Sequence, residues 1–277
     1  MDLASEIDRN VAAALAEDVG SGDVTAALTP ATSAVRAQVL ARQDAVLCGR
    51  AWFDTCFRRL DRSVDIGWRI EEGAGVSRGQ VVCEVKGNAR ALLTGERTAL
   101  NFLQLLSAVA TVTRRYVSAV AGTRAKVVDT RKTLPGLRIA EKYAVRVGGG
   151  VNHRMGLYDA ILLKENHIAA FGGVRPAIEA AAKAASRGIW VQVEVETLDQ
   201  LRDALEGGST MILLDNMSTD QMREAVKIAA GRAELEASGG VTLENVRAIA
   251  ETGVDRISIG ALTKDIDAVD FSMRFET

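Results

Sequence analysis

From about residue 125 onward, the apolar and polar positions repeat one pattern: a short β-branched run, a polar or glycine-containing turn, then an apolar stripe at helical spacing. The runs are Lys126 to Thr130, Ala160 to Lys164, Trp190 to Val195, Met211 to Asp215, Glu234 to Ser238 and Arg256 to Gly260. Thr197-Leu198-Asp199-Gln200 and Ser218-Thr219-Asp220-Gln221 have the S/T-x-x-Q form of a capping box. They lead into stripes of Leu198, Leu201 and Leu205 and of Met222, Val226 and Ala229. Thr242 is placed to cap a third stripe of Leu243, Val246 and Ile249. Strands alternating with helices imply parallel pairing through right-handed crossovers. With Lys164, Glu194, Asp215, Ser238 and Gly260 as strand ends, the intervals are 30, 21, 23 and 22 residues, each about one βα unit. Six such units, where a full barrel has eight, predict an α/β fold with an incomplete parallel barrel.

Before residue 125 the texture differs. Ile7, Val11, Ala14 and Leu15 predict a short helix with Ser5 as its cap. Val35 to Leu47, Val64 to Ile70 and Gln80 to Val85, separated by glycines, predict antiparallel strands, and Trp52, Phe53, Cys56, Phe57 and Leu60 form one helical face between the first two. A long helix from about Ala89 to Ala121 is expected to bury Leu93, Leu100, Leu103, Leu106, Ala110 and Val117. The chain thus divides into residues 1–122 and 123–277, with a C-terminal tail able to return to the first domain.

Composition narrows the function by exclusion. At 48% hydrophobic and 25% charged, the 277 residues describe a globular chain rather than a disordered or fibrous one. A net charge of −2 gives no reason to expect nucleic acid. The longest uncharged stretch, Thr98 to Thr113, spans 16 positions and includes Asn101, Gln104 and Ser107, too short and polar for a membrane span. The opening Met1 to Arg9 is acidic and lacks the apolar core of a secretory signal, so a cytoplasmic protein is expected. Cys48, Cys56 and Cys83 form no C-x-x-C pair and read as buried thiols. His153 and His167 make no two-histidine metal signature.

The chemistry belongs at the C-terminal ends of the parallel strands. Those ends carry Asp129-Thr130-Arg131-Lys132, Lys164-Glu165-Asn166-His167, Glu194-Val195-Glu196, Asp215-Asn216, Ser238-Gly239-Gly240 and Ile259-Gly260-Ala261, with Asn152-His153-Arg154 in the loop before the second strand. One basic residue at a strand end is usually a solvated loop charge; Arg131, Lys132, His153, Arg154 and Lys164 around one rim describe a polyanion site. Glu194 and Asp215 face those cations and suit ribose hydroxyls or magnesium. The glycine turns at 238–240 and 260 can offer backbone N–H groups to a phosphate. The set points to a sugar phosphate plus a second anion. Gly148-Gly149-Gly150 reads as a turn, since no G-K-[ST] follows it. His167 reads as a helix cap, and Tyr143, Met155 and Tyr158 as packing residues. Glu194 and Glu196 share one side of their strand by period two, and the spacing does not choose between them.

The same residues resemble a known family. Asp129-Thr130-Arg131-Lys132-Thr133-Leu134-Pro135-Gly136-Leu137-Arg138, Glu141-Lys142-Tyr143-Ala144-Val145 and Gly148-Gly149-Gly150-Val151-Asn152-His153-Arg154 look like the signature of the quinolinate phosphoribosyltransferases. Leu163 to His167, Val193 to Glu196, Leu213 to Asn216, Ala237 to Val241, Ser258 to Thr263 and Glu17 to Thr25 match in order. The resemblance covers nearly the whole chain. It departs at Leu134, where a second Thr is usual, and at Ser107-Ala108-Val109, where Ser-Gly-Ile is usual; neither change removes a charge.

The resemblance implies an N-terminal α/β sandwich and a C-terminal incomplete barrel of the type II phosphoribosyltransferase kind, in a homodimer or hexamer with shared active sites. It implies transfer of phosphoribosyl from phosphoribosyl pyrophosphate to quinolinate with decarboxylation, giving nicotinate mononucleotide for NAD biosynthesis. Arg97 would reach a neighbouring subunit's site and bind quinolinate with Thr130, Arg131, His153, Arg154 and Lys164. Lys132, Glu194, Asp215, Ser238, Gly239, Gly240 and Gly260 would bind the donor. Lys132, Lys164, Glu194 and Asp215 would serve catalysis, with Mg²⁺ carried mainly by the donor near Glu194 and Asp215. The alternatives are a related transferase acting on another aromatic acid and a catalytically silent sugar-phosphate-binding protein.

Overall fold

The computed structural model describes residues 2–276; Met1 and Thr277, the outermost positions of the two expected domains, lie outside the described residues. The chain forms two compact units. One takes the chain through Arg114, the segment Thr133–Gly149 and the part from Thr263 on; the other takes Arg115–Lys132 and Gly150–Leu262.

In the first unit, α1 (Leu3–Val19) begins at Asp2, whose carboxylate accepts the Ser5 N–H at 3.0 Å and the Ser5 hydroxyl at 2.8 Å. The cap is therefore Asp2 and not Ser5, because the carboxylate satisfies a first-turn N–H that the serine, already inside the helix, cannot. The polar triplet Arg42-Gln43-Asp44 divides the expected first run into β1 (Ala34–Ala41) and β2 (Ala45–Val46). Next, α2 (Arg50–Leu60) buries Trp52, Phe53, Cys56 and Phe57. After it come β3 (Asp65–Trp68), β4 (Gly75–Val76), β5 (Val81–Asn88) and the 31-residue α3 (Ala89–Ala119). The buried stripe of α3 uses Leu92 where the sequence suggested Leu93: Leu92 packs at Gly87, and Leu93 is 37% exposed. All three cysteines are free and buried.

The chain enters the second unit at the end of α3, runs through β6 (Lys126–Val128) and leaves for α4 (Arg138–Val147), which contacts α1 in the first unit. It then returns. The alternation continues through β7 (Ala160–Leu163), α5 (Glu165–Ala170), α6 (Val174–Ala184), β8 (Trp190–Val195), α7 (Leu198–Glu206), β9 (Met211–Asp215) and α8 (Thr219–Ala229). It ends with β10 (Glu234–Ser238), α9 (Val246–Ala250), β11 (Arg256–Ser258), α10 (Ala261–Lys264) and β12 (Phe271–Phe275). The capping boxes at Thr197 and Ser218 are both formed. Thr242 does not cap α9: its N–H donates to Asn245 Oδ1, and the Asn245 amide donates to the Gly240 carbonyl, so the asparagine closes the turn.

The parallel sheet of the second unit has the order β6-β11-β10-β9-β8-β7. It holds six strands, short of a closed barrel of eight. Val151 adds an isolated parallel bridge to Val128 beside β6. In the first unit β12 returns to pair with β1, giving an antiparallel sheet of order β12-β1-β5-β3.

Candidate active site

Parallel strands aim their C-terminal ends the same way, so sheet order sets the order of residues along that edge. From β7 to β10 the ends are Lys164, Glu194, Asp215 and Ser238, with Ser238 in register with Asp215. Gly260 follows β11, and Asp129, Thr130, Arg131 and Lys132 follow β6. All of these residues lie in the second unit, as do His153 and Arg154. Arg97 lies on α3 in the first unit, with its side chain exposed.

Lys164 Nζ stands 3.4 Å from Glu194 Oε2. Burial raises the Glu194 carboxyl above its ordinary value, Lys164 pulls it back and Asp215 pushes it further up. Glu194 is the partly buried member of its pair and meets the lysine, whereas Glu196 is exposed and its N–H is held by Gln200. His167 Nδ1 accepts the Lys164 N–H at 3.1 Å, as expected of a cap. Lys132 is exposed, and its N–H donates to Thr130 Oγ1 at 3.0 Å.

Arg154 is buried, and its Nη1 donates to the Ala160 carbonyl at 3.2 Å. Burial, then the nearby Arg131 guanidinium, lower its affinity for a proton, and Asp159 raises it. Two neighbouring guanidiniums suit an anion with more than one charge. The loop after Arg154 is held by Asp159, which accepts the Met155 and Gly156 N–H groups at 2.6 and 3.0 Å. Tyr158 is not a core residue: it is 77% exposed, with its ring lying over Gly156.

The Ser238 to Gly240 turn joins two left-handed glycines, Gly239 at φ 100° and Gly240 at φ 59°. Such a turn exposes successive N–H groups and suits an anion. Among the described residues no cluster of three or more His, Cys, Asp or Glu side chains is arranged to hold a metal. Glu194 and Asp215 supply two carboxylates, which fits a divalent ion shared with a diphosphate rather than one held by protein alone.

The chain matches the family profile described as "Quinolinate phosphoribosyl transferase, N-terminal domain" over residues 23–107 and its C-terminal counterpart over residues 109–274. It belongs to the quinolinate phosphoribosyltransferase family. A Mycobacterium leprae protein named "Nicotinate-nucleotide pyrophosphorylase [carboxylating]" is 44% identical over 270 residues, covering 94% of each chain. A Bacillus subtilis protein named as probably the same enzyme is 42% identical over 257 residues, 93% of this chain and 89% of its own. The solved structure of the nicotinate-nucleotide pyrophosphorylase from Francisella tularensis superposes with a TM-score of 0.96 at 42% identity, covering 100% of this chain and 98% of that one.

This quinolinate phosphoribosyltransferase chain also carries polar groups whose roles the sequence pattern does not indicate. Asp129, fully buried, accepts the His153 N–H at 2.8 Å and the Asn152 amide at 2.5 Å, fixing the segment that bears Arg154. Gln192 and Glu236 are both 1% exposed. Each lies two residues before a site residue, Glu194 and Ser238, and period-two alternation was the available signal. Glu141 and Lys142 of α4 are fully buried, which a helical stripe of apolar positions did not suggest.

Proposed function

We propose that this chain transfers the phosphoribosyl group of phosphoribosyl pyrophosphate to quinolinate with loss of CO₂, yielding nicotinate mononucleotide and diphosphate for NAD biosynthesis. The observation that carries this reading is the row of charges along one strand-end edge, Arg131 and Lys132 after β6 and Lys164, Glu194 and Asp215 at the ends of β7, β8 and β9, with Lys164 Nζ 3.4 Å from Glu194. Arg131, His153, Arg154 and Lys164, with Thr130 beside them, bind the two carboxylates of the acid, and Arg97 joins them from a partner subunit of a homodimer or hexamer. Lys132, Glu194, Asp215, Ser238, Gly239, Gly240 and Gly260 hold the donor, Glu194 and Asp215 through its ribose hydroxyls.

Charge governs the chemistry. As diphosphate leaves the ribose C1, Lys132 and Lys164 offset the departing negative charge, and Glu194 and Asp215 offset the positive charge growing on the ring. Magnesium bound with the donor supplies further neutralisation of the diphosphate. The pyridine nitrogen, held in line by the arginines, then bonds to C1. The pyridinium so formed stabilises the electron pair left on its 2-carbon when the carboxylate there departs as CO₂, and that carbon then takes a proton from water to give the product. Positioning and electrostatics suffice, and no protein nucleophile is required.

A site with this many cations penalises a monoacid, which leaves buried positive charge without a partner at a cost on the order of 3 to 5 kcal/mol. Nicotinate is therefore disfavoured against quinolinate by roughly two to four powers of ten in kcat/KM. The test is a parallel assay of both acids with phosphoribosyl pyrophosphate and Mg²⁺, following diphosphate and CO₂. Equal release of the two from quinolinate is expected. Comparable rates for the acids, or diphosphate without CO₂, would assign the chain to a related transferase; donor binding without turnover would make it a sugar-phosphate-binding protein.

A further inference from the structure

We propose that Gln192, Glu236 and Arg256 form a buried positioning chain that acts through the His153 ring to fix the backbone of Arg154, the acid-binding arginine. This rests on the reading of Arg154 as a carboxylate-binding residue.

The chain can be followed atom by atom. His153 Nδ1 accepts the Arg154 backbone N–H at 2.8 Å, so the ring proton sits on Nε2. Nε2 lies 3.0 Å from Gln192 Oε1 and donates to it. That use of the amide oxygen turns the Gln192 NH₂ toward Glu236, where it donates to Oε2 at 3.2 Å. Arg256 Nε donates to the same oxygen at 3.0 Å. Each link has one direction, and reversing any of them would set two donors or two acceptors against each other.

Position and burial support a built device. Gln192 is on β8, Glu236 on β10 and Arg256 on β11, with Glu236 in register with Arg256. The His153 side chain is 8% exposed, and Trp190 meets its ring edge-on at 5.1 Å, so the imidazole is held on its face as well as at both nitrogens. The charged groups around it are Glu236, whose Oε1 is 3.6 Å from Nε2, Arg256 beyond that carboxylate, and Asp129, which accepts the His153 N–H. A buried carboxylate and guanidinium give little stability over apolar residues of the same size. What a directional network gives is a fixed geometry. Here it fixes the main chain of Arg154, while the Ala160 carbonyl fixes the guanidinium through Nη1. The remaining N–H groups of the fork are thereby set in place before a carboxylate arrives, which removes an ordering cost from binding.

Two measurements on the full-length protein test this. In ¹⁵N-histidine-labelled, substrate-free wild type at about pH 7.5, with H167Q used for assignment, His153 is expected to show an unprotonated Nδ1 and a protonated Nε2. A proton on Nδ1 overturns the proposal whatever the enzyme turns over. In Q192M, which keeps the volume but cuts the chain, KM for quinolinate should rise about tenfold, while kcat and the KM for phosphoribosyl pyrophosphate stay within about twofold. A folded Q192M with an unchanged quinolinate KM, or with kcat alone lowered, also overturns it. If wild type fails to turn over quinolinate at all, the proposed function falls while the ring measurement still decides the tautomer on which the positioning chain depends.

Discussion

Gly239 has no room for a side chain because Asn216 occupies the space: a Cβ built on Gly239 would overlap Asn216 Oδ1 and lie 3.1 Å from the Asn216 main-chain nitrogen. Asn216 is itself left-handed at φ 53°, its N–H donates to the Ser238 carbonyl at 2.9 Å, and its amide donates to Asp215 Oδ2 at 2.8 Å. The glycine turn and the Asp215 carboxylate are thus one packed assembly. G239A should lose about 2 kcal/mol or more of stability, from left-handed strain plus displacement of Asn216, and should raise the donor KM at least about tenfold. Gly240, left-handed at φ 59° with open space around it, is the control: G240A should lose only the strain of about 1 to 2 kcal/mol. Thermal melts and donor titrations of both variants check this, and equal effects would show that the contact with Asn216 is unimportant.

Arg97 is exposed on α3, in the other unit from the strand-end edge. If it completes a partner's site, R97A and R154A chains, each inactive alone, should recover about a quarter of wild-type activity when equal amounts are mixed and allowed to exchange subunits, since half the dimers are hybrids with one intact site each. Failure to recover, with exchange confirmed by mass, would rule out the shared site.

The Arg131 guanidinium lies close enough to lower the proton affinity of Arg154. R131K keeps the charge but loses the planar fork that grips a carboxylate with two bonds. Quinolinate binding should weaken by about 1.5 to 3 kcal/mol, read by calorimetry. Near-normal affinity would remove Arg131 from the acid site.

Glu141 supplies a pH dependence with a definite sign. Burial raises its carboxyl from an ordinary 4.5 to about 8, against opposing pulls from the Leu134 N–H and Arg138. The folded protein therefore holds a proton that the unfolded chain releases above about pH 4.5, so this group's ionisation opposes folding by about 1.4 kcal/mol per pH unit until about pH 8. E141Q keeps an oxygen for the Leu134 N–H, which donates to Glu141 Oε2 at 3.2 Å, and removes the titration. Relative to wild type, E141Q should gain stability steadily as pH rises through that window and level off above it, measured by denaturant unfolding. A difference that does not change with pH would mean that Glu141 ionises normally.

The sequence was most legible where one local rule decided the outcome. Trp190–Val195, Met211–Asp215 and Glu234–Ser238 are strands with the bounds that the sequence runs suggested, because the capping boxes at Thr197 and Ser218 and the glycine pair at 239–240 mark where each strand gives way to a turn. The residues at their ends could be named for the same reason. Less legible was what depends on partners distant in the chain. Gln192 and Glu236 are polar residues in apolar runs, and only the folded sheet brings them 3.2 Å apart, 44 residues from each other in sequence. The α4 segment reads as part of the second half by position, yet its contacts place it with the first unit, since Arg9 and Asn10 of α1 donate to the Gly136 carbonyl just ahead of it.

The pairing of β12 with β1 bears on how this protein is made. The register joins Ala37 to Phe275 and Ala41 to Phe271, so β1 waits for a neighbour that is made only after the whole of the second unit. Throughout synthesis β1 can pair with β5 but offers its other edge to solvent, and an open edge is a template for a second chain. The first unit is then completed only after the second, and the edge that β1 exposes closes when β12 arrives.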